Sequence, residues 1–203
     1  MDILFWSGGK DAYLAYEFYR QKHPKSELKL LTTYSENSEI VPHQKIPIEI
    51  IKEQAKALKL ELILVPLPED CPNDIYLEKI KDALENEPEK VNHLIFGDWH
   101  LEDIRNWRES QFEKLGYSCL FPIWQKKLDE LLPVLLFKPV EIRINAVQSK
   151  YEKFIRVGEL FNKQFIRQLP KEIDPMGEKG EFHTKVIFKN WDDEHQPKRQ
   201  PIL

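Results

Sequence analysis

Residues 2–11 read Asp2-Ile3-Leu4-Phe5-Trp6-Ser7-Gly8-Gly9-Lys10-Asp11, a short apolar strand that runs directly into a glycine-containing polar turn and then a helix. Adjacent glycines allow positive φ and can point successive backbone N–H groups inward, and the helix that opens near Lys10 adds the positive end of its dipole. Ser7 and Lys10 can contribute a hydroxyl group and a cation. The stretch predicts a phosphate-binding loop, although the glycine pair alone would also fit an ordinary strand-to-helix turn.

The two common nucleotide-binding glycine motifs are missing from this sequence. A Walker loop requires Gly-x-x-x-x-Gly-Lys-[Ser/Thr] and a Rossmann loop requires Gly-x-Gly-x-x-Gly, and the seven glycines of the chain form neither pattern. A nucleotide bound by Ser7, Gly8, Gly9, Lys10 and Asp11 must therefore be held by another kind of loop.

The composition is that of a globular protein with an ample apolar core. The chain has 203 residues, a net charge of −4 and 32% charged residues of mixed sign, which argues against nucleic-acid or membrane-surface binding as its main function. Its two cysteines suggest neither a disulfide framework nor a zinc site. We find no signal peptide and no long apolar run, so we expect a cytoplasmic protein.

Apolar segments in the first half alternate between strand and helix patterns. Strands are predicted at 28–34, 61–67 and 93–97, with helices at 12–22, 47–58, 73–86 and 98–116. Such alternation favours an α/β fold with a parallel sheet covered on both faces, and ligands of these sheets bind beyond the carboxyl ends of the strands. Thr33, Tyr34 and Asp98 would arrive there, and His43 lies in the loop after the second strand, although a lone loop histidine is more often simply solvated.

One predicted helix carries a stripe of charged residues. Asp98, Glu102, Arg105 and Glu109 are spaced to share a face of the helix. Most stripes of this kind are solvated faces with ion pairs. Because this one starts at a strand end beside the predicted phosphate loop, we expect it to face the cleft.

The character of the sequence changes after residue 118. We predict a helix at 124–136, a strand at 140–147, a mostly helical stretch at 151–169 and a final strand ending at Phe188. Three segments are therefore expected: a domain at 1–118 that carries the predicted phosphate-binding loop, a substrate-binding lobe at 119–189 and a loose tail at 190–203.

A second motif, Asp174-Pro175-Met176-Gly177-Glu178-Lys179-Gly180-Glu181-Phe182-His183-Thr184, concentrates polar chemistry near the C-terminus. A charged hairpin turn is the plain interpretation. The functional interpretation is that Glu178, Glu181, His183 and Thr184 reach the site from the second lobe, where carboxylates and a base such as glutamate or neutral histidine can bind a cation and accept a proton.

Both motifs resemble those of known enzymes. The Ser-Gly-Gly-Lys-Asp loop resembles the pyrophosphate loop of N-type ATP pyrophosphatases (the PP-loop superfamily), with Ala12 where their final serine stands. Asp-Pro-x-Gly-Glu-x-Gly-Glu-[Phe/Tyr]-x-Thr resembles the C-terminal motif of the diphthine-ammonia ligase family, whose members also carry that loop. The chain is most similar to a short branch with Gly-Asp-x-x-Leu-Glu-Asp-x-Arg-x-x-Arg-Glu, here Gly97 to Glu109.

The resemblance implies a HUP-type parallel sheet with helices on both faces, followed by a smaller α+β lobe. It also implies a carboxylate-ammonia ligase that uses ATP and Mg²⁺, adenylates a carboxylate with release of pyrophosphate, and then replaces AMP with ammonia. The acceptor would be protein-bound diphthine or a small molecule, with no nucleic acid or membrane partner, and a homodimer is possible. Two alternatives stay open: the same chemistry on a different small-molecule acid, and an ATP- or AMP-binding regulatory protein without catalysis.

Roles for the candidate residues follow from the motifs and the resemblance. Asp11 is the candidate Mg²⁺ ligand. Nucleotide binding is expected of Ser7, Gly8, Gly9, Lys10, Asp11, Thr33, Tyr34 and His43. Catalysis is expected of Lys10, Asp98, Arg105, Glu109, Glu178, Glu181 and His183. With ammonia as the nitrogen donor that the resemblance implies, Glu178, Glu181, His183 and Thr184 are expected to capture and deprotonate ammonium. Substrate binding is expected of Glu102, Gly177, Gly180 and Thr184.

Overall fold

The computed structural model describes residues 1–137 and 140–189, and the predicted tail at 190–203 lies outside them. Five parallel strands form the main sheet in the order β5-β2-β1-β6-β7. The strands of this sheet are β1 (Asp2–Phe5), β2 (Leu28–Ser35), β5 (Leu62–Leu67), β6 (His93–Ile95) and β7 (Ser118–Leu120). The first four helices are α1 (Lys10–Lys22), α2 (Ile48–Leu58), α3 (Asn73–Glu85) and α4 (Glu102–Lys114).

Alternate residues of β1 point to opposite faces of the sheet, as a strand buried on both sides requires. Leu4 packs in a core with residues of α1 and α2. Ile3 packs in a separate core with Ile80 of α3 and Phe112 of α4. The predicted fold, a HUP-type parallel sheet with helices on both faces and a smaller α+β part, is confirmed.

The fifth strand was not predicted from the sequence. Ser118–Leu120 pairs in parallel with β6, with Leu94 opposite Cys119. The sheet therefore continues past residue 118, where we expected the domain boundary, and the division of the chain into two domains stays a prediction.

The C-terminal part is built on an antiparallel pair of strands. The remaining elements are β3 (Ile40–Val41), β4 (Ile46–Pro47), α5 (Leu128–Phe137), β8 (Val140–Val147), a 3₁₀ turn (Ser149–Tyr151), α6 (Lys163–Gln168) and β9 (Phe182–Phe188). β3 pairs with β4 and β8 pairs with β9. One hydrophobic core contains both Leu4 of the main sheet and Val186 of β9, so the two parts pack against each other.

The predicted helix at 151–169 is wrong over most of its length, because part of that segment pairs with β8. Ile144 N–H donates to the Glu159 carbonyl at 2.9 Å, and Phe161 N–H donates to the Ile142 carbonyl at 2.8 Å. Gly158 has a φ of +88° at the turn between them. Helix resumes only at Lys163, where the Asn162 side chain accepts the Phe165 N–H at 2.9 Å as an N-cap. In the described part of the chain, no helix has the length and apolar character to cross a membrane.

Candidate active site

A cavity of about 700 Å³ lies beyond the carboxyl ends of the parallel strands. Most of the predicted site residues line it. From the first half these are Ser7, Gly9, Lys10, Asp11, Thr33, His43 and Asp98. From the second motif they are Gly177, Glu178, Gly180, His183 and Thr184. The structure thus brings two motifs from opposite ends of the chain to one cavity.

Only one glycine of the pair needs its special backbone freedom. Gly8 has a φ of +78°, and a Cβ there would lie 2.6 Å from Ile51 Cδ1 and 2.8 Å from Gln54 Oε1. Gly9, by contrast, has a φ of −92°. A Cβ at Gly9 would instead approach the Thr184 carbonyl oxygen at 3.1 Å, so close packing against β9 is what favours glycine there.

The position of Gly97, shortly after β6, has no room for a side chain. A Cβ at this position would lie 2.7 Å from both the carbonyl carbon and the carbonyl oxygen of Asp11. The end of β6 therefore packs directly on the first turn of α1. This contact places Asp98 beside the phosphate loop.

The phosphate loop is hydrogen-bonded to β9 as well. Lys10 N–H donates to Thr184 Oγ1 at 3.0 Å, and Val186 N–H donates to the Gly8 carbonyl at 2.9 Å. Because the first of these bonds occupies the Lys10 N–H, that group is not aimed at a phosphate as we expected. Thr184 lines the cavity and also holds the loop in position.

Two carboxylates flank the ammonium group of Lys10. Lys10 Nζ lies 2.7 Å and 2.8 Å from the carboxylate oxygens of Asp11 and 3.7 Å from Glu178 Oε1. The Lys10 side chain is only 4% exposed, whereas that of Asp11 is 39% exposed. Burial, reinforced by the charge of Asp11 and opposed by that of Lys10, raises the pKa of Glu178 to about 7.

Two histidines complete this side of the cavity, His43 from the segment between β3 and β4 and His183 from the C-terminal motif. The rings of His43 and His183 have centroids 6.3 Å apart. Burial lowers the pKa of His183, and the neighbouring His43 and Lys10 lower it further. His183 is therefore neutral at neutral pH and can accept a proton.

Glu181 has a different position from Glu178, although both belong to the same motif. Its side chain is fully buried, and its carboxylate accepts the Asp174 N–H at 3.0 Å and the Lys179 N–H at 2.9 Å. It does not line the cavity. The expected catalytic role of Glu181 is therefore not supported by its geometry, and its contacts stabilise the turn that presents Glu178.

The predicted charged stripe is not a continuous face. α4 begins only at Glu102, so helical spacing cannot be counted from Asp98 across the non-helical residues between them. Asp98 lines the cavity, but Glu102, Arg105 and Glu109 do not. Arg105 Nη2 pairs with Glu109 Oε1 at 3.0 Å, and its guanidinium lies over the rings of Phe121 and Trp124.

Arg108 is the partner of Asp98 and was missed by the sequence reasoning. Its Nε approaches Asp98 Oδ2 to 2.9 Å, in an ion pair without hydrogen-bond alignment, and its guanidinium carbon lies 4.3 Å from the centre of the Phe96 ring. Burial raises the pKa of Asp98, while Arg108 opposes that shift. Tyr76 and Trp107 also line the cavity, with ring centroids 6.1 Å apart.

Alternation along β2 separates the two residues predicted at its end. Thr33 lines the cavity together with Leu31, two positions earlier on the same face of the strand. Tyr34 is the next residue and therefore points to the opposite face, away from the cavity. Gly8 also lies outside the cavity lining, because it faces Ile51 and Gln54 of α2. The sequence pattern fits Thr33 and Tyr34 equally well, and only the direction of each side chain in the folded strand shows which of them faces the cavity.

The Asp11 carboxylate is the group best placed to bind Mg²⁺. It lines the cavity and is partly exposed, and magnesium sites beside nucleotides need only one or two protein carboxylates because phosphates and water supply the other ligands. Within 1–137 and 140–189, no group of three or more His, Cys, Asp or Glu side chains could hold a metal ion. The residues thus fit a magnesium ion that arrives with a polyphosphate.

A family model described as the diphthamide synthase N-terminal domain matches residues 1–119. The chain belongs to this family. Diphthamide synthase N-terminal domains are PP-loop domains of ATP-utilising proteins, and the match ends at β7, the last strand of the parallel sheet. The remaining residues, which include the Glu178 motif, lie beyond it. No curated protein matches the sequence significantly.

Two solved structures are similar to this chain at low sequence identity. The U34-tRNA thiolase from Methanococcus maripaludis, described with its [4Fe-4S] cluster, is 16% identical over 65% of this chain and 55% of that one, with a TM-score of 0.41. A predicted subunit of tRNA methyltransferase from Methanocaldococcus jannaschii is 18% identical over 75% of this chain and 83% of that one, also with a TM-score of 0.41. The match thus spans little more than half of the thiolase.

Proposed function

We propose that this member of the diphthamide synthase family is an ATP-dependent ligase that converts a carboxylate into an amide, with protein-bound diphthine as its acceptor. The observation that carries the proposal is the meeting of Glu178 and Lys10. A carboxylate from the C-terminal motif lies 3.7 Å from the ammonium group of the phosphate-loop lysine, within one cavity. A base for ammonia is thereby close to groups suited to pyrophosphate.

The first step joins the acceptor to AMP. An oxygen of the acceptor carboxylate attacks the α-phosphorus of ATP, the bond to the bridging oxygen breaks, and pyrophosphate leaves with the electron pair. Lys10, together with N–H groups of the loop, offsets the negative charge that grows on the leaving group. Mg²⁺ held by Asp11 would add a second positive charge to the same phosphates.

The second step replaces AMP with ammonia. Ammonium has no lone pair until it loses a proton, and Glu178, with a pKa of about 7, is a stronger base than an ordinary carboxylate. The resulting ammonia attacks the acyl carbon, AMP leaves, and neutral His183 can take the proton that the new amide nitrogen releases. Because the base must be ionised, we expect amide formation to accelerate as the pH rises through about 7.

The test supplies ATP, Mg²⁺ and ¹⁵N-ammonium with elongation factor that carries diphthine. Mass spectrometry of the modified residue should detect one ¹⁵N atom per acceptor. In a parallel reaction, small carboxylic acids replace the elongation factor. Labelling of a small acid alone would make that acid the acceptor, and ATP binding without labelling of any acceptor would favour a regulatory protein.

A further inference from the structure

Gln54, a residue to which no role has been assigned, is a buried polar side chain in the middle of α2. It is buried against the phosphate loop on one side and β9 on the other. A glutamine buried in a helix costs free energy unless its amide is fully hydrogen-bonded. Its contacts therefore indicate what it does.

The Gln54 amide makes three hydrogen bonds that join three separate segments. Its oxygen accepts the Trp6 Nε1–H at 2.8 Å. Its nitrogen donates to the Gly8 carbonyl at 3.1 Å and to the Val186 carbonyl at 2.6 Å. The orientation is unambiguous, because a flipped amide would oppose the indole donor with a donor and the two carbonyls with an acceptor.

These bonds fix the plane of the peptide between Gly8 and Gly9. The Gly8 carbonyl accepts from both Gln54 Nε2 and the Val186 N–H, so it points away from the cavity toward α2 and β9. In a planar trans peptide the N–H points opposite to the carbonyl. The Gly9 N–H is accordingly directed to the other side, where it donates to Ser7 Oγ on the cavity wall at 3.4 Å. This bond is longer, and therefore weaker, than the bond that occupies the Lys10 N–H, so an anion in the cavity can compete for the Gly9 N–H.

We propose that Gln54 is a positioning residue, which aims the Gly9 N–H at the pyrophosphate group of the nucleotide. The inference rests on the proposed function, since it assigns the loop to pyrophosphate. Gly8 alone could rotate its peptide, because its φ of +78° lies in a region that glycine enters and leaves freely. Two hydrogen bonds to the Gly8 carbonyl, one from Gln54 Nε2 and one from the Val186 N–H, remove that freedom before the ligand arrives, which lowers the entropy cost of binding.

Gln54→Met tests this role, because methionine has a similar length and no amide. In calorimetric titrations with inorganic pyrophosphate and Mg²⁺, the variant should bind at least about tenfold more weakly than the wild type, which is the scale of one hydrogen bond to an anion. Titration with adenosine, which has no phosphate, should change by less than about twofold. If Gln54 had only a structural role, the substitution would weaken the binding of pyrophosphate and of adenosine to the same extent.

Two further variants complete the design. Leu84→Ala removes apolar contacts in the other core of the sheet and should leave pyrophosphate affinity unchanged despite its lower stability. Trp6→Phe keeps an aromatic side chain and removes the indole N–H that donates to Gln54 Oε1, so it should weaken pyrophosphate binding in the same direction, even if Gln54→Met fails to fold.

Equal pyrophosphate affinity in the wild type and a folded Gln54→Met protein would overturn the positioning role alone. So would unchanged affinity in Trp6→Phe, or a loss in Leu84→Ala as large as in Gln54→Met. A wild-type protein that binds neither pyrophosphate nor ATP would overturn the proposed function together with this inference.

Discussion

Lys10 and Thr184, which are 174 residues apart in the sequence, are joined by a hydrogen bond from the Lys10 backbone N–H to Thr184 Oγ1 at 3.0 Å. The bond connects the first turn of α1 to β9. The C-terminal motif is therefore part of the wall around the phosphate loop. Formation of the loop and docking of β9 depend on each other.

Replacing Thr184 tests that dependence. Thr184→Val keeps the shape of the side chain and removes the acceptor, which leaves a buried N–H without its partner. We expect a loss of about 1–3 kcal/mol in the free energy of unfolding, measured by urea denaturation. Thr184→Ser keeps the hydroxyl and should lose less. Equal losses in both variants would mean that the methyl group, and not the hydrogen bond, is what matters.

Glu178 and Glu181 should respond differently to the same change. Glu178→Gln removes the proposed base, so pyrophosphate exchange with ATP should survive while amide formation falls by roughly a hundredfold or more. Glu181→Gln replaces an acceptor of two backbone N–H groups, so it should lower the melting temperature. Equal loss of both half-reactions in Glu178→Gln would instead assign Glu178 to nucleotide binding.

The stability of the protein should depend on the ionisation of Glu178. Its pKa rises on folding from 4.5 to about 7, so the folded state favours the protonated form. The stability that the protonated Glu178 contributes is fully present below pH 4.5 and is lost as the pH rises through about 7. The glutamine of Glu178→Gln does not ionise. Between pH 4.5 and about 7, the free energy of unfolding of this variant should therefore rise by on the order of 2 kcal/mol relative to that of the wild type. A difference that stays constant with pH, in denaturant titrations at both ends, would contradict the prediction.

The Asp98–Arg108 ion pair should be costly to break from one side. Arg108→Met leaves a buried carboxylate without its counter-charge and should destabilise the protein by about 3 kcal/mol at neutral pH. Asp98→Asn combined with Arg108→Met removes both charges and should recover most of that loss. A double-mutant cycle in urea measures the coupling, and additive losses would show that the pair is not energetically linked.

The elements that the sequence predicted are those with a long apolar pattern. β2 and β5 are strands of eight and six residues with a largely apolar pattern, and their alternation with helices was sufficient to predict a parallel sheet. β7 has three residues and begins with an exposed serine, so its local pattern carries almost no signal. The segment before α6 has helix-forming residues, but tertiary pairing with β8 overrides that preference.

The site was predictable where a motif fixes the backbone, and less so where side-chain direction decides. The loop and the C-terminal motif both reach the cavity. Sequence spacing cannot distinguish Glu178, which faces the cavity, from Glu181, which is buried, because the turn between them sets their directions. Arg108 was missed because α4 starts four residues after Asp98. Helical spacing counted from Asp98 therefore selects the wrong face of α4 as the one that contacts Asp98.

The products of ATP cleavage test the central claim most directly. The protein is incubated with Mg²⁺, ammonium, a diphthine-bearing acceptor and ATP labelled at the α-phosphate, and the labelled product is separated by chromatography. Lys10→Ala should reduce turnover by roughly tenfold to a thousandfold, the scale of one lost transition-state donor, while Lys52→Ala, an exposed lysine paired with Glu49, should not. We predict labelled AMP together with pyrophosphate. Labelled ADP with release of phosphate would contradict the account.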